Sequence, residues 1–279
     1  MRILLVGGTG FIGSRLFKTL VSEGFQVVVA SRNPNHSQIK INPWEALEIK
    51  PNSFDLVINA AGKYGLKDDV EEKKSTIEAN IGIATSIGRS THLINKGVIN
   101  LSSYFELANS YSKVGNSYYV RSKTLCNDFL EQWCAINQKY YSRIVLFDNY
   151  DKDISRRKFL DQLLMASLSG STLDVKNTEN VINLLSLRAI CESISKVSSS
   201  YKTLDPQVGR IELKNSDTYR ISELIDKVES ISGQNLAIVN RNEDIDLDLQ
   251  KVIFQKNHNQ VEIHENIDNY LRFMLKKGS

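Results

Sequence analysis

The chain has 279 residues, of which 41% are hydrophobic and 24% charged. This is ordinary usage for a soluble folded protein and enough for a sizeable core, so disorder, collagen, coiled coil and a stapled mini-protein are poor descriptions. A net charge of +3 marks no nucleic-acid-binding face, and no apolar run nears the roughly 20 residues of a membrane helix.

In chain order, residues 2–6 form a short apolar run bounded by glycines, with no room before it for a signal peptide. Residues 14–23 carry helical spacing at Leu16, Phe17 and Leu20. Two more β-branched runs, 26–30 and 54–59, precede a helix-like segment over 77–89 and a strand over 97–101. A long amphipathic stretch, 119–136, leads to a strand over 142–147. Continuous Val/Ile/Leu strands alternating with helices predict an α/β fold whose parallel sheet is covered on both faces. The second half is less regular: helices over 154–169, 186–199 and 221–232, and a strand over 209–213. A soft boundary near residue 150 divides a dinucleotide-binding domain (1–150) from a smaller substrate-binding part (151–279). The latter is interleaved with the last elements of the former.

Val6-Gly7-Gly8-Thr9-Gly10-Phe11-Ile12-Gly13 follows the first strand and opens the first helix. A dinucleotide pyrophosphate must approach main-chain N–H groups at a helix start, and glycine permits both that approach and the tight turn. The flanking strand, helix and second strand have the spacing of a βαβ unit, which gives the glycine triplet its weight. After the second strand comes Ser31-Arg32-Asn33, where a site for NAD carries an acid for the ribose 2′-hydroxyl. A hydroxyl and a guanidinium there suit a 2′-phosphate, so NADP(H) is the expected cofactor and NAD(H) the alternative. Arg32 as a plain solvated side chain is the competing reading.

Tyr119 and Lys123 are four apart on the long helix and share a face. A phenol has a pKa near 10, and a neighbouring ammonium moves it toward a useful acid–base range. Ser103 ends the strand before, placing a hydroxyl at the carboxyl edge where doubly wound sheets bind ligands.

Together these residues resemble the extended short-chain dehydrogenase/reductase superfamily, its epimerase/dehydratase group, strongly over residues 1–147 and weakly afterwards. The resemblance implies a Rossmann-like, doubly wound parallel sheet with a small C-terminal substrate-binding subdomain. It places Gly7, Gly10, Phe11, Ile12, Gly13, Ser31, Arg32, Ala60, Ala61, Gly62 and Lys123 on the cofactor. It makes Ser103, Tyr119 and Lys123 the catalytic triad, with Ser102 as the alternative serine and Asn80 as the helix asparagine supporting the site. In that scheme Tyr119 exchanges the proton with the substrate oxygen, Lys123 holds the nicotinamide ribose, and Ser103 polarises the oxygen.

Departures from the group narrow the activity. Tyr104-Phe105 stand where dehydratases carry Asp-Glu, with Glu106 one step late. The added Cys or His of reductive double epimerases is missing, as is the NAD-holding acid of 4-epimerases. What remains is carbonyl reduction by an exchangeable NADPH, and the short Ser103-to-Tyr119 interval, the Ala61-Gly62-Lys63-Tyr64-Gly65 segment and Ser103-Tyr104-Phe105 resemble small 4-ketoreductases of CDP-linked deoxysugars, such as abequose and paratose synthases. The expectation is an NADPH-dependent oxidoreductase of lipopolysaccharide sugar biosynthesis, cytoplasmic and homodimeric through the helix bearing Phe129, Leu130 and Trp133. An NAD-dependent epimerase and a non-catalytic NADP sensor are the alternatives. The nucleotide-binding arginine of an Arg-Asp-aromatic motif is missing near Val181-Ile182-Asn183-Leu184. Arg156, Arg157 and Lys158 form a basic cluster that either replaces it on a diphosphate or is a solvated helix start, and Ser103 and Tyr104 face the sugar.

Cys126, Cys134 and Cys191 lack metal-ligand spacing and read as buried thiols of a reducing compartment. His36, His92, His258 and His264 are scattered, so no metal is expected. Trp44 lies near the predicted adenine edge, as a stacking partner or an aromatic plug.

Overall fold

The computed structural model describes the chain except residues 66–68, 109–116, 157, 204, 257–258 and 277–279. The elements in order are β1 (Arg2–Val6), α1 (Phe11–Ser22), β2 (Gln26–Ser31), β3 (Ile39–Lys40), β4 (Phe54–Asn59), α2 (Val70–Ile77), α3 (Ile83–Gly88), β5 (Ile94–Ser103), α4 (Tyr118–Ile136) and β6 (Tyr140–Leu146). There follow β7 (Asp148–Tyr150), α5 (Phe159–Ser169), β8 (Leu173–Val175), β9 (Val181–Ile182), β10 (Leu184–Ser186), α6 (Leu187–Ser200), β11 (Gly209–Asn215) and β12 (Tyr219–Arg220). The last are α7 (Ile221–Ser232), β13 (Ile238–Asn240), α8 (Leu247–Phe254), β14 (Gln260–Ile263) and α9 (Ile267–Lys276). The chain divides into two compact units, residues 1–146 with 188–213, and residues 147–187 with 214–279.

The main sheet has the order β14-β11-β6-β5-β4-β1-β2-β3. Every pair from β3 to β11 runs parallel. This is the doubly wound, Rossmann-like α/β arrangement. The order reverses between β1 and β4, and such a reversal opens a crevice at the strands' carboxyl ends. One face is packed by Leu4, Val57 and Val98 from the strands against Ile83, Ile87 and Leu130 from α3 and α4. Each such fully buried side chain contributes about 1.5–3 kcal/mol. The helix α4 forms because Ser117 caps it, accepting the Val120 N–H at 3.3 Å, and because Val120, Lys123, Cys126, Asn127, Leu130 and Cys134 recur at helical spacing on one buried face. All three cysteines are buried free thiols.

Two helical boundaries differ from the sequence expectation. The segment read as one helix over 77–89 is α2, a π-helical turn over residues 78–82, and α3. Asp69 starts α2 earlier, accepting the Glu72 N–H at 2.7 Å. The helix expected from residue 154 begins at Phe159, because Lys158 is extended and its N–H is taken by the Asp161 carboxylate at 3.0 Å.

In the second unit, α5, α7 and α9 meet around Leu163, Leu164, Leu224, Val228 and Leu271. A buried amide pair ties its loops. The Asn183 side chain accepts the Asn215 N–H at 2.9 Å and donates to the carbonyls of Asn215 (2.9 Å) and Asp217 (3.0 Å). The Asn215 side chain donates to the Leu184 carbonyl at 2.9 Å. Among the described residues, no helix is long and apolar enough to cross a membrane.

Candidate active site

At the end of β1 the backbone turns through Gly7, at φ +78°, whose N–H donates to the Ala30 carbonyl at 3.1 Å. A Cβ there would sit 2.6 Å from the Ala61 nitrogen, and one at Gly13 would sit 2.1 Å from the Gly7 oxygen. The loop thus closes on itself and on β4 only with glycine at both places. Gly10 precedes α1, and no side chain caps that helix, whose first turn is Phe11, Ile12 and Gly13. A helix start of this kind attracts phosphate.

A cavity of about 310 Å³ opens against this loop, walled by Gly7, Gly10, Ser31, Arg32, Ala61 and Gly62 among others, Ala60 included. Among the described residues its wall contains no carboxylate. Ser31 is buried and its hydroxyl accepts the Asn33 N–H at 3.3 Å, while Arg32 is exposed at the rim. Phe11, Ile12 and Gly13 build the turn rather than the wall. Trp44 packs against Gly82, donating its N–H to that residue's carbonyl at 2.9 Å, and does not line the cavity. The cradle of close-approach glycines fits a dinucleotide.

Tyr119 is half-buried near the start of α4. Lys123, one turn on, is buried and donates to the Leu101 carbonyl at 3.2 Å. Its Nζ lies 2.8 Å from where a Cβ on Gly62 would be, so the ammonium adjoins the cavity wall and any side chain at 62 would displace it. Asn80 is buried in the π-helical turn. Its amide accepts the Lys63 N–H (3.0 Å) and donates to the Lys63 carbonyl (3.2 Å) and the Ser122 hydroxyl (2.8 Å). It therefore clamps the loop after β4 to α4, and the added residue of a π turn is a usual way to aim such a side chain.

The family pattern described as NAD dependent epimerase/dehydratase matches residues 3–182. The chain belongs to that family. It is an enzyme of the short-chain dehydrogenase/reductase type. Over 254 residues, 85% of this chain and 87% of the relative, it is 28% identical to a CDP-abequose synthase of Yersinia pseudotuberculosis. Its fold is that of a UDP-glucuronic acid 4-epimerase of Bacillus cereus solved with NAD, at TM-score 0.74 and 14% identity, covering 100% of this chain and 96% of that one. A UDP-N-acetylglucosamine 4-epimerase of Methanobrevibacter ruminantium M1 superposes at TM-score 0.73 and 18% identity, covering 99% and 97%.

In this epimerase/dehydratase-family enzyme the two serines ending β5 have different surroundings. Ser102 is buried, donates to Glu106 and accepts from the Asn127 amide at 2.8 Å. Ser103 is half-buried and its hydroxyl accepts the Phe105 N–H at 3.4 Å. Tyr104 is buried, its ring stacked on Phe105 (4.4 Å between centroids, 27°). Phe105 stacks with Tyr64, whose ring meets Tyr119 edge-on at 4.7 Å. The basic cluster belongs to the second unit. There Arg156 donates to the Asn149 side chain at 3.4 Å, and burial lowers the Lys158 ammonium pKa against the opposing pull of Asp148. Arg157 and His258 lie outside the described residues.

The sequence assigns no role in the site to Glu106, Asn127 or Arg143. The Glu106 carboxylate is fully buried and paired with the Arg143 guanidinium at 2.7 Å. Two signals pointed to them. Ser103 and Glu106 have the three-residue spacing of a capping box, and Arg143 is a charge inside a strand otherwise read as apolar. The whole cluster is dry enough that burial pushes the Cys126 thiol up to about 11, with Lys123 opposing and Glu106 adding to the shift.

Proposed function

We propose that this enzyme uses NADPH to reduce the 4-keto group of a nucleotide-activated deoxysugar, with a CDP-linked 4-keto-6-deoxyhexose as the leading candidate. The observation carrying this reading is the Tyr119–Lys123 pair on one face of α4, with its ammonium against the wall of a glycine-lined cavity whose described lining residues include no carboxylate. The likeness to a CDP-abequose synthase along 85% of the chain supports a nucleotide-linked deoxysugar. Ser31 and Arg32 would hold the 2′-phosphate. Bound NADPH would supply the hydride. Tyr119 donates its phenolic proton to the carbonyl oxygen as that oxygen gains charge, so the ketone becomes an alcohol with one hydride and one proton added. Lys123, next to Gly62, holds the nicotinamide ribose. Ser103 donates a hydrogen bond to the same oxygen, because its neighbour Ser102 is already committed to Glu106. In the second unit Arg156, Arg157 and Lys158 are the candidates for the diphosphate. Buried free thiols support a reducing cytoplasm. Exposed Leu125, Phe129 and Ile136 on α4 support a homodimer through that helix.

The test is NADPH oxidation followed in absorbance with a panel of CDP-, dTDP- and UDP-linked 4-ketosugars, with product identified by NMR. Turnover of at least one is expected, and Tyr119→Phe should lose about 1,000-fold in kcat while retaining NADPH affinity. Near-normal turnover in that variant overturns the mechanism. Copurified, non-exchanging NAD with inversion at C4 would make the protein an epimerase, and cofactor binding without any turnover would make it a sensor.

A further inference from the structure

We infer that Glu106 is a positioning residue that, with Arg143, makes Ser103 present its hydroxyl as a donor to the substrate oxygen; this rests on the ketoreductase reading above. A carboxylate with no solvent exposure needs several donors, and the choice of donors is informative. Glu106 accepts from the Arg143 guanidinium (2.7 Å), the Asn127 amide (2.5 Å), the Ser102 hydroxyl and the main-chain N–H of Ser103 itself (3.0 Å). The last contact is half of a capping box. In the other half, the Ser103 side chain accepts main-chain N–H groups of the turn that follows.

The consequence lies in the polarity of one hydroxyl. A serine oxygen has two lone pairs and one proton. With main-chain N–H groups engaging the Ser103 oxygen, the proton is the part left to donate, which a carbonyl oxygen requires. The same carboxylate reaches the acid–base helix. Asn127 donates to Glu106, to Ser102 (2.8 Å) and to the Lys123 carbonyl (2.9 Å). One buried group thus links the strand end bearing Ser103 to the helix turn bearing Lys123. The Arg143 side chain is 21% exposed, and its Nε has no hydrogen-bond partner among the described residues. The pair is neutral overall, so its effect is on geometry rather than on the charge of the site.

A double-mutant cycle separates this role from a merely structural one. Glu106→Gln removes the charge. Glu106→Asp keeps a partner for Arg143 but shortens the reach to the Ser103 N–H, and so serves if the glutamine variant folds poorly. Each should lower kcat by about 10- to 100-fold with the NADPH Kd unchanged, measured with the 4-ketosugar that the wild type turns over. In a Ser103→Ala background the same substitutions should change kcat by less than about threefold. Equal factors in the two backgrounds overturn the inference, as does an unchanged kcat in Glu106→Asp. Near-normal turnover of Tyr119→Phe overturns the underlying reading and the inference with it. An inactive Tyr119→Phe beside equal Glu106 factors overturns the inference alone.

Discussion

The two compact units bring polar groups to bear in different ways. In the first, the cofactor cavity is shaped by main chain, and Gly7 and Gly13 stand where any Cβ would strike backbone atoms at 2.6 and 2.1 Å. In the second, buried side-chain amides tie the loops, with Asn183 bonded to the main chain of Asn215 and Asp217. A turn that closes on backbone atoms admits one residue type and is legible in the sequence. A loop tied by side chains can be tied by many combinations and leaves no such signature.

The largest expected effect attacks the first unit. Gly13→Ala must push the Gly7 carbonyl aside, and NADPH affinity should fall by more than about 100-fold in a titration, since the pyrophosphate turn is remade. Retained affinity would mean the turn is not the cofactor grip. Asn183→Ala strikes the second unit, leaving the buried Asn215 N–H without its acceptor. It should destabilise that unit by about 3 kcal/mol in urea unfolding while leaving the NADPH Kd of the first unit unchanged. A matching loss of NADPH affinity would break the contrast. Arg32→Ala should raise the KM for NADPH about tenfold and leave that for NADH nearly unchanged; equal effects would return the enzyme to NAD.

The smallest effect is confined to alkaline solution. Burial raises Cys126 to about 11 and Cys134 to about 12, against about 8.5 for a free thiol. Both thiols are protonated in folded and unfolded chain below that free value, so stability there is insensitive to them. Above it the unfolded chain loses protons that the folded one keeps, and stability falls as pH rises toward 11. Cys126→Ala should flatten the decline in melting temperature between about pH 9 and 11, and an unaltered slope would count against a dry interior behind α4.

Legibility did not follow that division but the range of the interactions that fix each element. The strands β1 and β4 lie where their apolar runs predict, and α4 begins within a residue of its expected start, because apolar periodicity and the Ser117 cap agree. The π-helical turn was unreadable, since its extra residue is set by tertiary contacts of Asn80 with Lys63 and Ser122 rather than by local propensity. The start of α5 lies beyond its sequence expectation because the Asp161 carboxylate takes the Lys158 N–H and fixes the helix start at Phe159. Among the site residues, Tyr119 and Lys123 carry their own spacing. Glu106 needs Arg143, 37 positions away, to make its burial intelligible.

The strand β11, which completes the parallel run beside β6 with five paired residues from Gly209 to Leu213, comes late in the chain. During synthesis, β6 leaves the ribosome with its outer edge bare while residues 147–208 are still to be made. An unpaired parallel edge is a template for the wrong partner. A nascent or truncated chain ending near residue 150 carries the whole phosphate turn and both acid–base residues yet has that edge uncovered. Such a fragment should aggregate rather than bind nucleotide, and an expression host's chaperones should engage the protein in the interval before β11 emerges.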